Sequence, residues 1–292
     1  MKEKEIMRRV LDLAEKGRGR TSPNPMVGAV LIKNARIVGH GFHHRAGRPH
    51  AEIEALKMAG NKAEGSTLYL NLEPCCHFGK TPPCTEAIIR AGIRKVVFAT
   101  KDPNPRVNGK GARILRRAGI EIRSGLLKNQ AEKLNEAYFK FMQNGRPLVT
   151  LVTHQSLDGK GLLCSDSRLR RTLPPEIRFA DILLASGQTS RNPWYHPYRQ
   201  ILTKEEALGF LIRLSNRGAL SLAVYGTEGI GEQLLRYGLV DKLCWVVKYQ
   251  LGGRGNALNL DLGIEKLSDA LKIRNLEFKS FGNASLLTGF LN

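Results

Sequence analysis

The chain has 292 residues, 42% of them hydrophobic and 25% charged, a globular composition that excludes collagen-like, mucin-like and disordered classes. No apolar run is long enough to span a bilayer, and the opening MKEKEIMRRVLDLAEKG lacks the apolar stretch of a secretory leader. Five cysteines are too few, and odd in number, for a disulfide framework, so a reducing, cytoplasmic setting away from membranes is expected. Lys and Arg number 46 against 26 Asp and Glu, a net charge of +20. Such a charge attracts polyanions and steers anionic small molecules. The basic residues are spread along the chain without a block or interleaved aromatics. That pattern favours a basic surface around a site for a phosphorylated small molecule over nucleic-acid binding, which the net charge alone would support.

In chain order, Ile6, Val10 and Leu13 keep helical spacing and Gly17 closes that helix. The prolines of TSPNP forbid helix. MVGAVLIK and RIVGHGF read as strands joined at Asn34-Ala35. PHAEIEALKMAG reads as a helix with proline in its first turn. STLYLNL, RKVVFAT and IEIRSG read as strands, TPPCTEAIIRAG and GKGARILRRAG as helices, and LKNQAEKLNEAYFKFMQNG as one longer helix. This alternation predicts a largely parallel sheet sandwiched by helices. GRPLVT, residues 145–150, reads as a boundary between domains at 1–145 and 146–292. Beyond it, PLVTLVTHQSLDGK starts a second, patchier α/β region. Residues 165–203 read as irregular. EEALGFLIRLSNRG and GEQLLRYGLV then read as helices, SLAVYG and KLCWVVKYQLGG as strands.

Two segments carry chemistry. His50-Ala51-Glu52 opens a helix, and Glu73 to Cys84, EPCCHFGKTPPC, links a strand to the next helix. His50, Cys75 and Cys84 supply the three N/S ligands, with one position left open, that a catalytic zinc requires. A water there becomes acidic enough to act near neutral pH. Glu52, two residues past His50, can reach that water as a proton shuttle without ligating the metal. Cys84 follows two prolines at a helix start, where free N–H groups favour a thiolate. A structural zinc is the alternative. It needs a fourth protein ligand, which His77 could supply.

The H-x-E and Cys pair resemble the cytidine-deaminase superfamily, whose pattern is H-x-E followed by P-C-x-x-C. Here eight residues separate Cys75 from Cys84, and Cys76 reads as a bystander. With TSPNPMVGAV, GHGFHHRAGRPHAE, TLYLNLEPCCHFGKTPPCTEAII and KDPNPRVNGKG, the first half resembles the deaminase of the bifunctional riboflavin-biosynthesis deaminase/reductase family. The resemblance implies a cytidine-deaminase-like three-layer αβα sheet domain. It implies hydrolytic deamination of 2,5-diamino-6-(5-phosphoribosylamino)pyrimidin-4-one to the corresponding uracil, with Zn2+ as cofactor and Glu52 moving protons. It places Asn24, His43, His77 and Lys80 in the substrate pocket, Lys80 as partner of the phosphate, and it implies association into dimers or tetramers.

In that family the second half is a dihydrofolate-reductase-like α/β domain that uses NADPH. Here it reads as truncated and degenerate. Ser156-Leu157-Asp158-Gly159 and Leu251-Gly252-Gly253 match the family, so Ser156, Asp158, Gly252 and Gly253 are the cofactor-binding candidates if the half functions. Val152 stands where the family has lysine, Ser186-Gly187-Gln188-Thr189 replaces a glycine-rich stretch, and Arg191-Asn192-Pro193 and Tyr225-Gly226-Thr227 depart from its motifs. A lost lysine removes a positive anchor, and a lost glycine admits a side chain where a cofactor must lie. The expectation is a deaminase whose reductase activity is lost. Rival readings are full bifunctionality with NADPH, nucleotide binding through Arg168, Arg170 and Arg171, and an RNA-binding protein or RNA-directed deaminase.

Overall fold

A computed structural model of the chain describes residues 1–79, 82–160, 173–185, 203–226, 229–251, 270–281 and 284–291. The chain divides into two compact units, Met1–Asn144 and Gly145–Asn292. Among the described residues no helix is long and apolar enough to cross a membrane.

The first unit runs α1 (Glu3–Glu15), β1 (Gly28–Lys33), β2 (Arg36–Phe42), α2 (Ala51–Ala59), β3 (Thr67–Leu72), α3 (Cys84–Arg90), β4 (Lys95–Thr100), α4 (Lys110–Arg117), β5 (Glu121–Ser124), α5 (Lys128–Leu134) and α6 (Glu136–Asn144). Its sheet has the order β2-β1-β3-β4-β5. Strands β3, β4 and β5 pair parallel, and β2 runs the same way, because β1 pairs antiparallel with both β2 and β3 and is the one reversed strand. The first sheet is therefore largely parallel, as expected, with β1 reversed in its hairpin to β2, which Asn34 and Ala35 turn with positive φ.

Alternation along the strands builds two cores. Leu31, Leu68, Leu70, Val96 and Phe98 pack with Ala55 of α2, Ile88 of α3 and Leu115 of α4. Val30, Tyr69, Val97 and Ala99 pack on the other face with Met7 and Val10 of α1 and Ala131 of α5. These are the three layers. A Cβ on Gly39 would lie 2.3 Å from Ala55 O, and one on Gly41 2.7 Å from Ala51 O. Glycine at both positions lets α2 lie directly on β2, which sets where the start of α2 sits.

The predicted single helix over 127–145 is broken at Asn135, whose φ is −107°. Its buried amide faces the backbone of Met26, with Oδ1 accepting from Met26 N–H at 2.8 Å and Nδ2 donating to Met26 O at 2.9 Å. Asparagine is a poor interior helix residue that competes for backbone partners, and here it holds the segment behind Asn24.

The second unit runs β6 (Leu148–Ser156), α7 (Pro175–Arg178), β7 (Ile182–Ala185), α8 (Lys204–Asn216), β8 (Ser221–Tyr225), α9 (Ile230–Arg236), β9 (Lys242–Lys248), β10 (Ile273–Phe281) and β11 (Ala284–Leu291). The sheet order is β10-β11-β9-β6-β8-β7. Strand β6 is parallel to β8 and β9, and β11 runs antiparallel to β9 and β10. Val149, Leu151 and Val224 face a core with α8 and α9, whereas Val152, Ala223 and Tyr225 face one with Ile177 of α7. The stretch read as irregular contains α7 and β7, and β7 is the outermost strand on one side. Four residues of ILLA beside a Pro-rich run are too short to show a period. The closing β10–β11 hairpin gave no sequence signal that distinguished it.

Candidate metal centre

His50 is the N-cap of α2 and Pro83 that of α3, so the neighbouring prolines precede these helices and do not occupy their first turns as expected. Glu52 lies in the first turn of α2, and Cys84 is the first residue of α3. The two helix starts and the loop after β3 bring His50, Cys75 and Cys84 together, with one ligand atom from each lying within 4.8 Å of the others. His50 Nδ1 is 3.2 Å from Cys84 Sγ and 3.6 Å from Cys75 Sγ. The Cys84 N–H donates to Cys75 Sγ at 3.3 Å.

The electrostatics suit a cation. The bond from Cys84, aided by His50 and by the Cys84 amide, outweighs burial and pulls the Cys75 thiol down to about 4. Cys84 is pushed well above its ordinary value by Cys75, burial and Glu52. Two sulfurs this close share one proton, so the first leaves easily and the second needs a positive charge between them. The bond to Cys75 raises the His50 imidazole against its burial. Glu52 is 3% exposed, and its Oε2 has no hydrogen-bond partner among the described residues. Burial, and then the charge of Cys75, raise its carboxyl. An orphaned buried oxygen beside a soft N/S/S triad is costly unless something binds there. The donor set fits a zinc ion with one open position.

Asn24 and His43 also converge here. His43 is buried, its Nδ1 3.1 Å from Pro49 O and its Nε2 3.1 Å from Asn24 Nδ2. These partners assign Nδ1 as the protonated nitrogen. Burial leads in lowering the His43 pKa, and its ring meets His50 edge-on at 5.3 Å. His77 is not part of the cluster. Its Nδ1 lies 3.3 Å from Phe78 O, so the four-ligand structural alternative gains nothing from it. Cys76 lies 3.6 Å from Arg106 O and is likewise outside the cluster. Lys80, Gly252, Gly253, Arg168, Arg170, Arg171, residues 186–193 and Thr227 lie outside the described residues. In the second unit the Ser156 hydroxyl donates to Asp158 Oδ1, and the Lys160 N–H donates to Ser156 Oγ at 3.2 Å. Both candidates thus close a turn.

Residues 1–100 match the cytidine and deoxycytidylate deaminase zinc-binding region. The riboflavin biosynthesis protein RibD of Aquifex aeolicus is 55% identical over 158 residues, 54% of this chain and 44% of that protein. The diaminohydroxyphosphoribosylamino-pyrimidine deaminase of Buchnera aphidicola subsp. Schizaphis graminum is 51% identical over 147 residues, half of this chain and all of that protein. The chain belongs to the RibD family. It spans about half the length of the first curated RibD relatives it matches. The solved structure of Acinetobacter baumannii RibD is similar over 99% of this chain and 98% of that one, with 28% identity and a TM-score of 0.83. The RibD-like fold therefore extends beyond the stretch that resembles the curated sequences.

Sequence reasoning missed what fixes the RibD-family loop. Glu73 is buried, and its Oε2 and Oε1 accept from Gly109 N–H at 2.8 Å and Ala112 N–H at 2.9 Å. It ties the start of the Cys75 loop to the first turn of α4. Asn71 accepts from Gly28 N–H at 2.8 Å and donates to Met26 O at 2.9 Å. Asp102 accepts from Asn104 N–H at 2.8 Å and Tyr138 O–H at 2.9 Å, and burial raises it to about 6. Glu73 and Asp102 were legible only as polar residues after strands, and Asn71 only as a polar residue within β3.

Proposed function

We propose that this RibD-family chain is a zinc-dependent hydrolytic deaminase. Its substrate is 2,5-diamino-6-(5-phosphoribosylamino)pyrimidin-4-one, and its products are ammonia and 5-amino-6-(5-phosphoribosylamino)uracil. The observation that carries the reading is the buried Glu52 carboxyl, with an oxygen left unpartnered among the described residues, beside His50, Cys75 and Cys84.

His50, Cys75 and Cys84 would hold Zn2+, which when bound supplies the Lewis acidity that makes water a nucleophile near neutral pH. Glu52 would carry both protons of the attacking water in turn, the first to the ring nitrogen and the second, taken from the hydroxyl left on the ring carbon, to the departing amine. A carboxyl raised by burial suits a group that must both accept and donate. His43, held neutral between Pro49 O and Asn24, keeps the pocket wall in one tautomer. Asn24 is left with its carbonyl oxygen to accept from an exocyclic amine. Lys80 is assigned to the phosphate and His77 to the pocket rim by resemblance to the family. We take the working form to be a dimer or tetramer, which light scattering tests.

The reductase activity is lost in this reading. Val152, at the position where the resemblance expects lysine, is fully buried against apolar neighbours and offers no charge. Full bifunctionality with NADPH is the second reading, favoured by the fold match along the whole chain. One assay separates them. Zinc-loaded protein is given the substrate and ammonia is followed. NADPH is then added and its oxidation is followed. Ammonia without NADPH consumption is expected. NADPH consumption overturns the loss of reduction, and no ammonia overturns the substrate.

A further inference from the structure

We infer that the groove between α4 and the carboxyl ends of β4 and β5 is a binding site for a sugar phosphate. The groove holds about 420 Å³, with Phe98 and Ala112 at its buried floor and Lys101, Arg113, Arg116 and Ser124 on its walls. Lys101 directly follows β4, and Ser124 ends β5. Open α/β sheets present ligands just there, outside the carboxyl ends of parallel strands. Counted from the N-cap Gly109, the lining residues Ala112, Arg113 and Arg116 fall at i+3, i+4 and i+7, which puts them on one side of α4.

The charge is what makes the groove specific. Lys101, Arg113 and Arg116 have no carboxylate partner among the described residues. Three unpaired cations around one concavity repel each other and favour an anion between them. Two buried acids that bond to or adjoin its lining residues are committed elsewhere. Glu73 accepts from the amides of Gly109 and Ala112, and Asp102 accepts from Asn104 N–H and Tyr138 O–H. The first-turn amides of α4 are therefore partly spent on Glu73, and recognition falls on the side chains. Arginine forks suit phosphate oxygens. Inorganic phosphate would leave most of the groove empty, since small-molecule pockets fall at about 300–1,000 Å³. The apolar floor and the Ser124 hydroxyl suit the sugar ring attached to it.

The inference concerns binding and stands whether or not the proposed deamination is correct. The test titrates ribose 5-phosphate into the full, zinc-loaded chain by calorimetry at low salt. Compared are the unaltered chain, R113Q/R116Q, and a control with R8Q/R9Q, two exposed arginines on α1. Saturable binding is expected for the unaltered chain and the control, with a steep salt dependence and none for ribose itself. Affinity should fall at least about tenfold in R113Q/R116Q, from the loss of two charge-assisted contacts. K101Q, at an exposed site, carries the same test should the double variant fail to fold. No saturation up to about 10 mM, or equal affinity in all variants, overturns the site. Where the site binds, kinetics identify the phosphate. Competitive inhibition by ribose 5-phosphate, with KM raised in R113Q/R116Q, means the substrate's own tail fills it. An unchanged KM means a separate ligand.

Discussion

Glu73→Gln is the perturbation that most directly tests how the fold builds the centre. Glu73 is 3% exposed, and each carboxylate oxygen accepts one amide, at 2.8 Å from Gly109 and 2.9 Å from Ala112. A bond to a charged acceptor contributes about 1.5–3 kcal/mol net. Glutamine keeps one neutral acceptor for one amide and turns an NH2 donor against the other. The charge assistance is lost from both bonds and one buried N–H is orphaned, a cost of about 2–4 kcal/mol. For a unit of 144 residues, Met1–Asn144, each kcal/mol moves Tm by about 3 °C. The expected drop is about 6–12 °C in the transition that zinc shifts, followed by calorimetry. Gly111 presses on the same loop, since a Cβ there would lie 2.3 Å from Pro74 O. Loosening α4 should therefore also weaken zinc binding, by about tenfold, as outer partners of a metal site commonly do, and chelator competition reads this. A Tm within 2 °C of the unaltered chain, together with unchanged zinc affinity, would refute the view that Glu73 anchors the Cys75 loop.

Glu52→Gln should lower kcat by about 10²–10⁴-fold while zinc content and Tm hold, because it removes the proton carrier and keeps the shape; ammonia release and metal analysis check both. Removing zinc with a chelator should abolish ammonia release and lower the melting temperature of the first unit, with both restored on adding Zn2+. His154 is 3% exposed, and its pKa is lowered to about 4, by burial first and then by Lys248. The unfolded chain protonates this residue near 6.5, so its stabilisation is complete above about pH 6.5 and is lost as pH falls toward about 4, costing about 3 kcal/mol. His154→Leu should flatten that slope in urea titrations of the second unit. Asp241 accepts from Arg146 Nη1 at 2.7 Å and Nη2 at 2.8 Å and from Val149 N–H at 2.9 Å. Asp241→Ala should cost about 3–5 kcal/mol by stranding a largely buried guanidinium, read as a lower urea midpoint.

The ligand types, their order along the chain and the strand–helix frame around them were legible in the sequence. His-x-Glu at a helix start and cysteine at the next helix start are local patterns, readable from helical spacing and from the prolines just before it. The layering of the first unit was also legible, because alternation along a strand and helical spacing are properties of short windows. What Asn135 does was not. A sequence window over residues 127–145 sees a helix, and only the chain folded back places Met26 where its backbone outcompetes the helix for that amide. The same holds for Glu73, whose partners lie 36 and 39 residues away. In the second unit, β7 and the β10–β11 hairpin are decided by pairing with strands distant in the chain. Their own residues are too few or too mixed to show a period. The sequence by itself determined which atoms can hold a metal and move a proton. The tertiary structure alone decided which buried polar groups hold them in place, because those bonds join backbone and side chains that no local pattern connects.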